Sequence, residues 1–280
     1  MGMEFRPYYL SREWVKMGHR VRIISATYSH LRKSNPVASR DFEIESIDGI
    51  EYQWIKTEEY SGNGVKRAGT MWQFCKKIYK KAKAIADEFN PDVVISSSTY
   101  TFDTYPAQKI AKFAKCKYIH EAHDLWPLTL IEVAGMSEYH PFVVALAIAE
   151  RSAYKKSNEI ISLFPNADDH MIKHGMQSRE KFHCIPNGIF IEEWESPDAI
   201  GGEHKELIYR LHSEGKFVVG YLGGHGIPNA LDYLVDAAEQ ARQYEDIAFV
   251  LVGSGMEKDN LKKRAMGYGL DNIYFLPQIE

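Results

Sequence analysis

The segment FVVGYLGGHGIPNALDYLVDAA, residues Phe217–Ala238, decides the fold class of this chain. It opens with an apolar run of strand length, Phe217–Leu222, and continues through the glycine loop Gly223–Gly226 into a helical pattern that begins at Pro228. Apolar residues recur there every three or four positions, which is typical of a helix with one buried face. A strand, a glycine turn and a helix together form the repeating unit of doubly wound α/β domains. The segment therefore predicts such a domain.

The same alternation of strand and helix patterns extends over nearly the whole chain. Several strand-length runs are almost continuously Val, Ile, Phe or Tyr, which is typical of parallel strands covered on both faces. The predicted strands are Arg20–Ala26, Asp92–Ser96, Lys117–Glu121, Glu159–Leu163, Lys181–Ile185, Phe217–Leu222, Ala248–Val252 and Asn272–Leu276. The predicted helices are Glu4–Met17, Ala68–Phe89, Thr104–Ala114, Pro141–Lys156, Asn166–His174, Pro228–Tyr244 and Glu257–Gly267. Residues Phe42–Trp54, with Asp48–Gly49 at their centre, are typical of an antiparallel hairpin.

The composition predicts two unequal domains. Between Phe190 and Gly215 the chain becomes charged and contains Ser196–Pro197 and Gly201–Gly202, which favours an interdomain connection. We therefore predict a first domain over 1–190, a linker over 191–215 and half of a second doubly wound domain over 216–280. The chain begins in a helix pattern rather than with the expected central strand. We expect a fragment that is truncated at both ends.

Charge and cysteine content exclude several classes of function. The net charge of −4 gives no general reason to expect binding to nucleic acid. The three cysteines are far apart in the sequence, which excludes a zinc knuckle and favours a reducing compartment. The longest apolar run, Phe142–Ala149, is far shorter than the roughly 20 residues that a spanning helix needs. The sequence thus predicts a cytoplasmic protein that is soluble or peripheral on the inner face of the plasma membrane.

Polar and small residues follow the predicted strands. Open α/β sheets bind ligands beyond the carboxyl ends of their strands. The loops at that edge are 27–30, 97–100, 123–124, 187–188, 223–226 and 253–255. They suit a hydroxyl-rich ligand that carries phosphate, although turn chemistry alone is an alternative explanation for each loop. The glycine loop at 223–226 matches neither the dinucleotide fingerprint nor a Walker loop, which disfavours an NAD-dependent dehydrogenase.

The segment YIHEAHDLWP, Tyr118–Pro127, places two histidines at the end of a strand. Alternate residues of a strand share a face, so Glu121 and His123 should point one way and His120 the other. We predict that His120 is a hydrogen-bonded core or edge residue. The three-residue spacing of the histidines on a strand disfavours a metal site. His123 lies where the strand ends and can exchange a hydrogen bond with a sugar hydroxyl, while Asp124 can orient it or bind a hydroxyl itself.

With these residues in hand, the chain resembles the family 4 glycosyltransferases, which have the GT-B fold of two facing Rossmann-like domains. The resemblance covers nearly the whole chain and depends on the order and spacing of several blocks. These are REWVKMGHRVRIISATYSHLR, PDVVISSS, HDLWPLTL, AERSAYKKSNEIISL, CIPNGI, VVGYLGGHGIPNALDYLVDAA and FVLVGSGMEKDNLKKRAMGYGLDNIYFLP. Within the family, MEFRPYYLSREW and SATYSHLR are most similar to bacterial transferases for surface polysaccharide, including those described as L-fucosamine transferases.

The resemblance implies transfer of a sugar from a nucleotide-diphosphate donor to an acceptor hydroxyl, with retention of anomeric configuration and with neither metal nor cofactor. Relatives of this kind act on lipid-linked acceptors. His123 matches the histidine that contacts the donor sugar, and Gly223 and Gly224 match the phosphate-facing loop. Gly2 matches the end of the glycine loop before the first helix, and Asn187 matches the turn into the linker.

The predicted site falls into three groups. The catalytic residues are His123 and Asp124. The donor and phosphate contacts are Gly223, Gly224, His225, Gly253, Gly255 and Arg6. The acceptor side of the cleft is formed by Gly2, His30, Ser97, Ser98 and Asn187.

Two departures from the family pattern bear on activity. Many members carry an Arg and a Lys after the glycine loop, where this chain has His225 and Asn229, so phosphate binding must use backbone N–H groups, His225 or Arg6. The glutamate pair that is eight residues apart in the family is not found after Lys216. We therefore expect this chain to be inactive alone. A nucleotide-sugar epimerase of the GT-B type and a non-catalytic, truncated binding module are the alternatives.

A basic helix is the predicted membrane contact. The helix Ala68–Phe89 places five lysines beside an apolar stripe, a pattern that favours an anionic lipid surface. The lysines are Lys76, Lys77, Lys80, Lys81 and Lys83, and the stripe is Phe74, Ile78, Ala82, Ile85 and Phe89. We favour the other interpretation, in which the stripe faces the core and the lysines extend into water.

Overall fold

The computed structural model describes residues 5–29, 32, 34–60, 65–98, 100–195 and 202–279. The chain divides into two compact units, residues 1–188 and 189–280. Both are built from parallel strands and helices in alternation, so the predicted α/β class is confirmed.

Unit 1 begins with a helix and a small mixed sheet. The elements are α1 (Phe5–Lys16), β1 (Arg22–Ala26), β2 (Glu43–Ile47) and β3 (Ile50–Ile55), and the strand order is β1-β3-β2. Strands β2 and β3 form the predicted antiparallel hairpin. Asp48 and Gly49 take positive φ values of 51° and 80° at its turn, as a two-residue hairpin loop requires.

A four-stranded parallel sheet follows in unit 1, with the order β4-β5-β6-β7. Its elements are α2 (Val65–Phe89), β4 (Val93–Ser96), α3 (Thr104–Ala114), β5 (Lys117–Ala122), α4 (Leu128–Glu132), α5 (Pro141–Lys156), β6 (Glu159–Ser162), α6 (Asp168–Lys173) and β7 (Phe182–Cys184). Parallel pairing places all four carboxyl ends at one edge. The segments that follow β4, β5 and β7 therefore meet there.

The apolar stripe of α2 faces the core. Ile78, Ala82 and Ile85 are buried together with Ile55 and Ile110. The interpretation of this stripe as a lipid-binding face is therefore wrong, and the core-facing alternative is right. The lysines of α2 lie on other faces, as expected for a long amphipathic helix packed on a sheet.

Unit 2 is a three-stranded parallel sheet with the order β10-β9-β8. Its elements are α7 (Ile191–Glu195), α8 (Gly202–Ser213), β8 (Phe217–Leu222), α9 (Asp232–Gln240), β9 (Ile247–Val252), α10 (Lys258–Gly267) and β10 (Ile273–Leu276). Helices α9 and α10 pack on one face of β9 through Val235, Ala238 and Leu261, with Phe249 and Leu251 from the strand.

Two sequence predictions in unit 2 need correction. Helix α8 occupies much of the predicted linker, because Leu211, fully buried with Ala248 and Val250, anchors it to the sheet. Its many charged residues concealed that short apolar stripe. The predicted helix Pro228–Tyr244 is also interrupted, since Ala230 has a left-handed conformation and the α-helix begins only at Asp232.

Within the described residues, no helix combines the length and apolar character needed to cross a membrane.

Candidate functional site

A buried carboxylate organises the carboxyl edge of the unit 1 sheet. Glu121, near the end of β5, is only 4% exposed. Nε of Arg6, from α1, donates to its Oε1 at 3.0 Å. Ser97, directly after β4, donates its hydroxyl to Oε2. Nε2 of His123 lies 2.9 Å from the same Oε2. Three chain segments thus converge on one negative charge.

The charge of Glu121 is stabilised despite its burial. Burial by itself raises the pKa of a carboxyl, but hydrogen bonds from His123 and Ser97 and the positive charges of His123 and Arg6 outweigh it and lower the pKa to about 2. Glu121 is therefore an anion over the whole physiological range. The sequence indicated that Glu121 and His123 share a face but gave no reason to place Glu121 in the site.

Arg6 is already engaged by the protein. Besides Glu121, its Nη1 donates to the carbonyl oxygen of Pro186 at 3.0 Å and to Oδ1 of Asn187 at 3.1 Å. Its side chain is 8% exposed. Asn187 is brought to the cluster through these contacts, as its place after β7 predicted. The role of Arg6 on a phosphate stays a prediction, because these contacts hold the guanidinium against unit 1 residues.

The imidazole of His123 is held in one orientation. Nε2 lies 3.0 Å from the hydroxyl of Ser97 and 2.9 Å from the Glu121 carboxylate. Since a carboxylate only accepts, Nε2 carries a proton, and in the neutral ring Nδ1 is the nitrogen with a lone pair. Asp124 follows in the chain, and burial raises its pKa while the charge of His123 opposes that shift. The geometry fits an imidazole that exchanges one hydrogen bond with a ligand hydroxyl.

A second carboxyl, Asp103, was missed by the sequence analysis. It lies on the turn before α3, is buried, and accepts a 2.5 Å hydrogen bond at Oδ2 from Ser98. Within the described residues its Oδ1 has no hydrogen-bond partner. Burial raises its pKa to about 6, although the hydrogen bond from Ser98 and the charge of His123 both act to lower it. Ser98 therefore contacts Asp103, whereas the adjacent Ser97 contacts Glu121.

The prediction that His120 is a core residue is confirmed. It is 3% exposed, and its Nδ1 lies 3.0 Å from the hydroxyl of Ser96. Its ring packs edge-on against Tyr154, 5.7 Å between centroids. Burial lowers its pKa to about 4, so the ring is neutral at pH 7.

In unit 2 two glycine loops pack directly on each other. A Cβ on Gly253 would lie 1.9 Å from the carbonyl oxygen of Gly223, and one on Gly255 would lie 2.3 Å from that of His225. The backbone N–H of His225 donates to the carbonyl of Ser254 at 2.8 Å. Close backbone approach thus requires glycine at 253 and 255.

The ring of His225 is inside unit 2. The residue is fully buried, and its ring lies beside those of Tyr221 and Phe275, with no hydrogen-bond partner for either nitrogen within the described residues. Burial and the charges of Lys258 and Lys262 lower its pKa, which keeps it neutral. The phosphate contact predicted at His225 stays a prediction, and the ring itself packs against Tyr221 and Phe275.

The backbone of the glycine loop is better suited to an anion. Within the described part of the chain, the N–H groups of Gly224 and Gly226 make no backbone hydrogen bond. Free N–H groups of successive loop residues form anion-binding concavities in proteins. The donor contacts predicted at Gly223 and Gly224 stay predictions. Gly2 and His30 lie outside the described residues.

Comparison with known proteins decides the family. A family model described as Glycosyltransferase Family 4 matches residues 2–193, more than half of the chain. This chain belongs to Glycosyltransferase Family 4. No match to this family 4 chain was found among curated protein sequences.

Solved structures of similar fold are GT-B glycosyltransferases, and the predicted fold of this family 4 chain is confirmed. Sucrose-phosphate synthase from Thermosynechococcus elongatus has a TM-score of 0.69 at 15% identity, over 100% of this chain and 66% of that one. WaaG, a glycosyltransferase involved in lipopolysaccharide biosynthesis, has a TM-score of 0.60 at 14% identity, over 97% and 66%. Anabaena HepE, in complex with UDP and glucose, has a TM-score of 0.55 at 17% identity, over 83% and 57%. This chain thus spans less than two thirds of their length.

Proposed function

We propose that this family 4 protein transfers a sugar from a nucleotide-diphosphate donor to a hydroxyl of a lipid-linked acceptor, with retention of anomeric configuration, in the synthesis of bacterial surface polysaccharide. The observation that carries the proposal is the placement of His123 at the carboxyl edge of the unit 1 sheet. Its Nε2 is held by Glu121 and Ser97. A ring fixed in this way presents its other nitrogen in a constant direction, as a hydrogen bond to a reacting sugar requires.

Glu121 supports that role electrostatically. Its carboxylate accepts the hydrogen bond from Nε2 of His123 at 2.9 Å, and Arg6 compensates the negative charge at 3.0 Å. Asp124 is the second group that we propose to bind a sugar hydroxyl. We propose that the N–H groups of Gly224 and Gly226 bind the donor diphosphate without a metal or a cofactor.

The donor test begins with UDP-glucose. HepE has been crystallised with UDP-glucose, and WaaG acts in lipopolysaccharide biosynthesis. The assay incubates the protein with radiolabelled UDP-glucose, then with UDP- and dTDP-linked aminosugars such as L-fucosamine donors, together with lipid-linked saccharide in membranes. Label in the lipid fraction supports transfer, and the anomeric configuration of the product reports retention or inversion.

The same assay distinguishes the alternatives. An epimerase converts the donor sugar without labelling the acceptor. A non-catalytic binding module retains the lipid-linked acceptor and leaves the donor unchanged. Because this chain spans less than two thirds of its relatives' length, the assay uses it within a full-length protein, where either outcome would reject the transferase proposal.

We also propose contact with an anionic membrane through the exposed side of α2. Trp72, Lys76, Tyr79, Lys80 and Lys83 recur at helical spacing and are all exposed. Trp72 is 63% exposed, and Lys109 from α3 lies 3.7 Å from the ring of Tyr79. Aromatic and basic side chains together favour the headgroup region of an anionic leaflet. We therefore propose that the protein acts at the inner surface of the plasma membrane.

A further inference from the structure

Helices α5 and α6 bring three potential metal ligands together. Glu150, on α5, is 1% exposed. His170 lies on α6, and His174 follows four residues later at the helix end. One ligand atom of each residue lies within 4.8 Å of the ligand atoms of the other two. In the sequence the pair is visible as two histidines four residues apart in the predicted helix Asn166–His174.

Hydrogen bonding prepares His174 for coordination. Its Nδ1 lies 2.8 Å from the carbonyl oxygen of His170. Because a carbonyl only accepts, Nδ1 carries the proton and Nε2 has the lone pair in the neutral ring. A backbone carbonyl that holds one nitrogen of a histidine is the usual outer partner of a metal-binding imidazole. The side chain of His174 is exposed, so an ion can reach Nε2 from solvent.

The other two ligands are also positioned by neighbours. Nε2 of His170 lies 2.8 Å from Oε1 of Glu150, and the hydroxyl of buried Tyr154 donates to the same oxygen at 3.1 Å. The rings of His170 and His174 are stacked at 4.0 Å with an interplanar angle of 28°. Two imidazoles one helical turn apart form the standard helical chelate for zinc. An ion would take the place of the proton between His170 and Glu150, and in the neutral ring that proton would move through solvent from Nε2 to Nδ1, which leaves a neutral imidazole as the ligand.

Two imidazole nitrogens and one carboxylate oxygen form a donor set that binds divalent transition metals and suits zinc. We propose that Glu150, His170 and His174 bind a divalent zinc-like ion, with solvent water completing the coordination. The site joins α5 to α6. It lies on the other side of β5 from the Glu121 cluster, since Tyr154 packs against His120, which faces away from Glu121.

A plain histidine–glutamate pair is the competing explanation, and the chain contains a matched example. Nε2 of His183 lies 2.9 Å from Oε2 of Glu159, and both residues are on the strands of the same sheet. No second histidine is grouped with that pair among the described residues. If the Glu150–His170 contact is only a histidine–glutamate pair of this kind, replacing His174 should affect zinc binding no more than replacing His183.

The test is a calorimetric titration of the chelator-stripped chain with zinc chloride. All proteins carry Cys184→Ser, because this exposed thiol next to His183 would bind zinc by itself. We expect saturable binding of one ion. His174→Ala should weaken it by at least about tenfold, while His183→Ala should leave it unchanged. His174 is exposed, so its replacement should not disturb folding, which far-UV circular dichroism checks.

Cobalt absorption and thermal unfolding test the same metal site independently of calorimetry. Cobalt(II) should give visible ligand-field absorption in the parent chain that is lost in His174→Ala. Zinc should raise the Tm of the parent and not that of His174→Ala, because the ion links two helices of the folded state. Absence of saturable binding, or equal affinity with and without His174, would overturn the proposal.

Discussion

Nε2 of His123 lies 2.9 Å from Oε2 of Glu121, two residues earlier on the same face of β5. Glu121 is only 4% exposed, and its carboxylate also accepts a hydrogen bond from Arg6. The pair therefore connects a partly exposed ring to a buried ionic cluster. Replacing the Glu121 carboxylate should lower the stability of the fold and also disturb the orientation of His123.

Replacing Glu121 by Gln should destabilise the protein. The amide keeps the shape but leaves the Arg6 guanidinium, 8% exposed, without its counter-charge. Loss of one partner of a buried ion pair costs about 3–5 kcal/mol in the free energy of unfolding. Urea unfolding followed by circular dichroism measures this.

The control for Glu121→Gln is Glu159→Gln. Glu159 also pairs with a histidine, His183, but its side chain is 35% exposed. Because exposed pairs contribute less than about 1 kcal/mol, this change should be small. Equal losses in the free energy of unfolding would show that burial of Glu121 does not determine its contribution to stability.

Replacing His123 by Ala should reduce turnover by about 100-fold or more if the ring contacts the reacting sugar. The measurement is kcat in the lipid-linked transfer assay on the full-length protein, with the free energy of unfolding measured in parallel. His183→Ala serves as the exposed-histidine control and should leave kcat unchanged. An effect of His123→Ala below about threefold would assign the ring a purely structural role.

The sequence predicted those parts of the Glu121 cluster that follow from strand periodicity and strand order. The two-residue period of a strand placed Glu121 and His123 together, and parallel connectivity placed Ser97 and Asn187 at the same edge. The partnership of Arg6 with Glu121 was not predictable, because it joins residues 115 positions apart through side-chain conformations.

Burial explains two features that the sequence did not reveal. His225 was predicted as a phosphate contact, and its ring lies between Tyr221 and Phe275 inside unit 2. Helix α8 was read as a linker, because its charged composition obscured the few apolar residues around Leu211 that pack on the sheet. Both features depend on tertiary packing, because residues distant in the sequence cover one side of each segment.

Replacing Gly253 by Ala should destabilise unit 2. The new Cβ would lie 1.9 Å from the carbonyl oxygen of Gly223, and the φ of 151° disfavours any side chain. Either the loops separate or the backbone is strained, and we expect a loss of about 2 kcal/mol or more in the free energy of unfolding. Gly267→Ala, which meets no atom within 4 Å, should be neutral or slightly stabilising. Equal urea midpoints for the two variants would contradict the backbone contact.

Reversing two charges on α2 should release the protein from anionic vesicles. Lys76→Glu with Lys80→Glu changes the exposed face that we propose as the membrane contact, where each lysine near an anionic surface contributes about 1 kcal/mol. Co-sedimentation with vesicles containing phosphatidylglycerol should fall by at least about tenfold. Lys205→Glu with Lys263→Glu reverses two exposed charges in unit 2 and should have little effect. Equal losses from both variants would indicate a response to net charge rather than to this face.

Asp103 should make stability depend on pH with a sign opposite to that of Glu121. Its pKa is raised from 3.8 to about 6 by burial, so the folded state binds its proton more tightly than the unfolded state. The resulting stabilisation is complete below about pH 4 and is lost as pH rises through 6. A shift of about two pKa units corresponds to about 3 kcal/mol.

Asp103→Asn tests this directly, because the amide resembles the protonated acid and can still accept from Ser98. The contributions of Glu121 and His120, whose lowered pKa values make stability fall with acid, are present in both proteins and cancel in the difference. The stability of Asp103→Asn relative to the parent should therefore rise by about 2 kcal/mol between pH 4 and pH 7, as measured by urea unfolding at each pH. Asp87→Asn, an exposed aspartate of α2, should show a change below about 0.5 kcal/mol. Parallel curves for the parent and Asp103→Asn would mean that Asp103 is ionised in the folded protein at pH 4, and that its buried position does not favour the acid form.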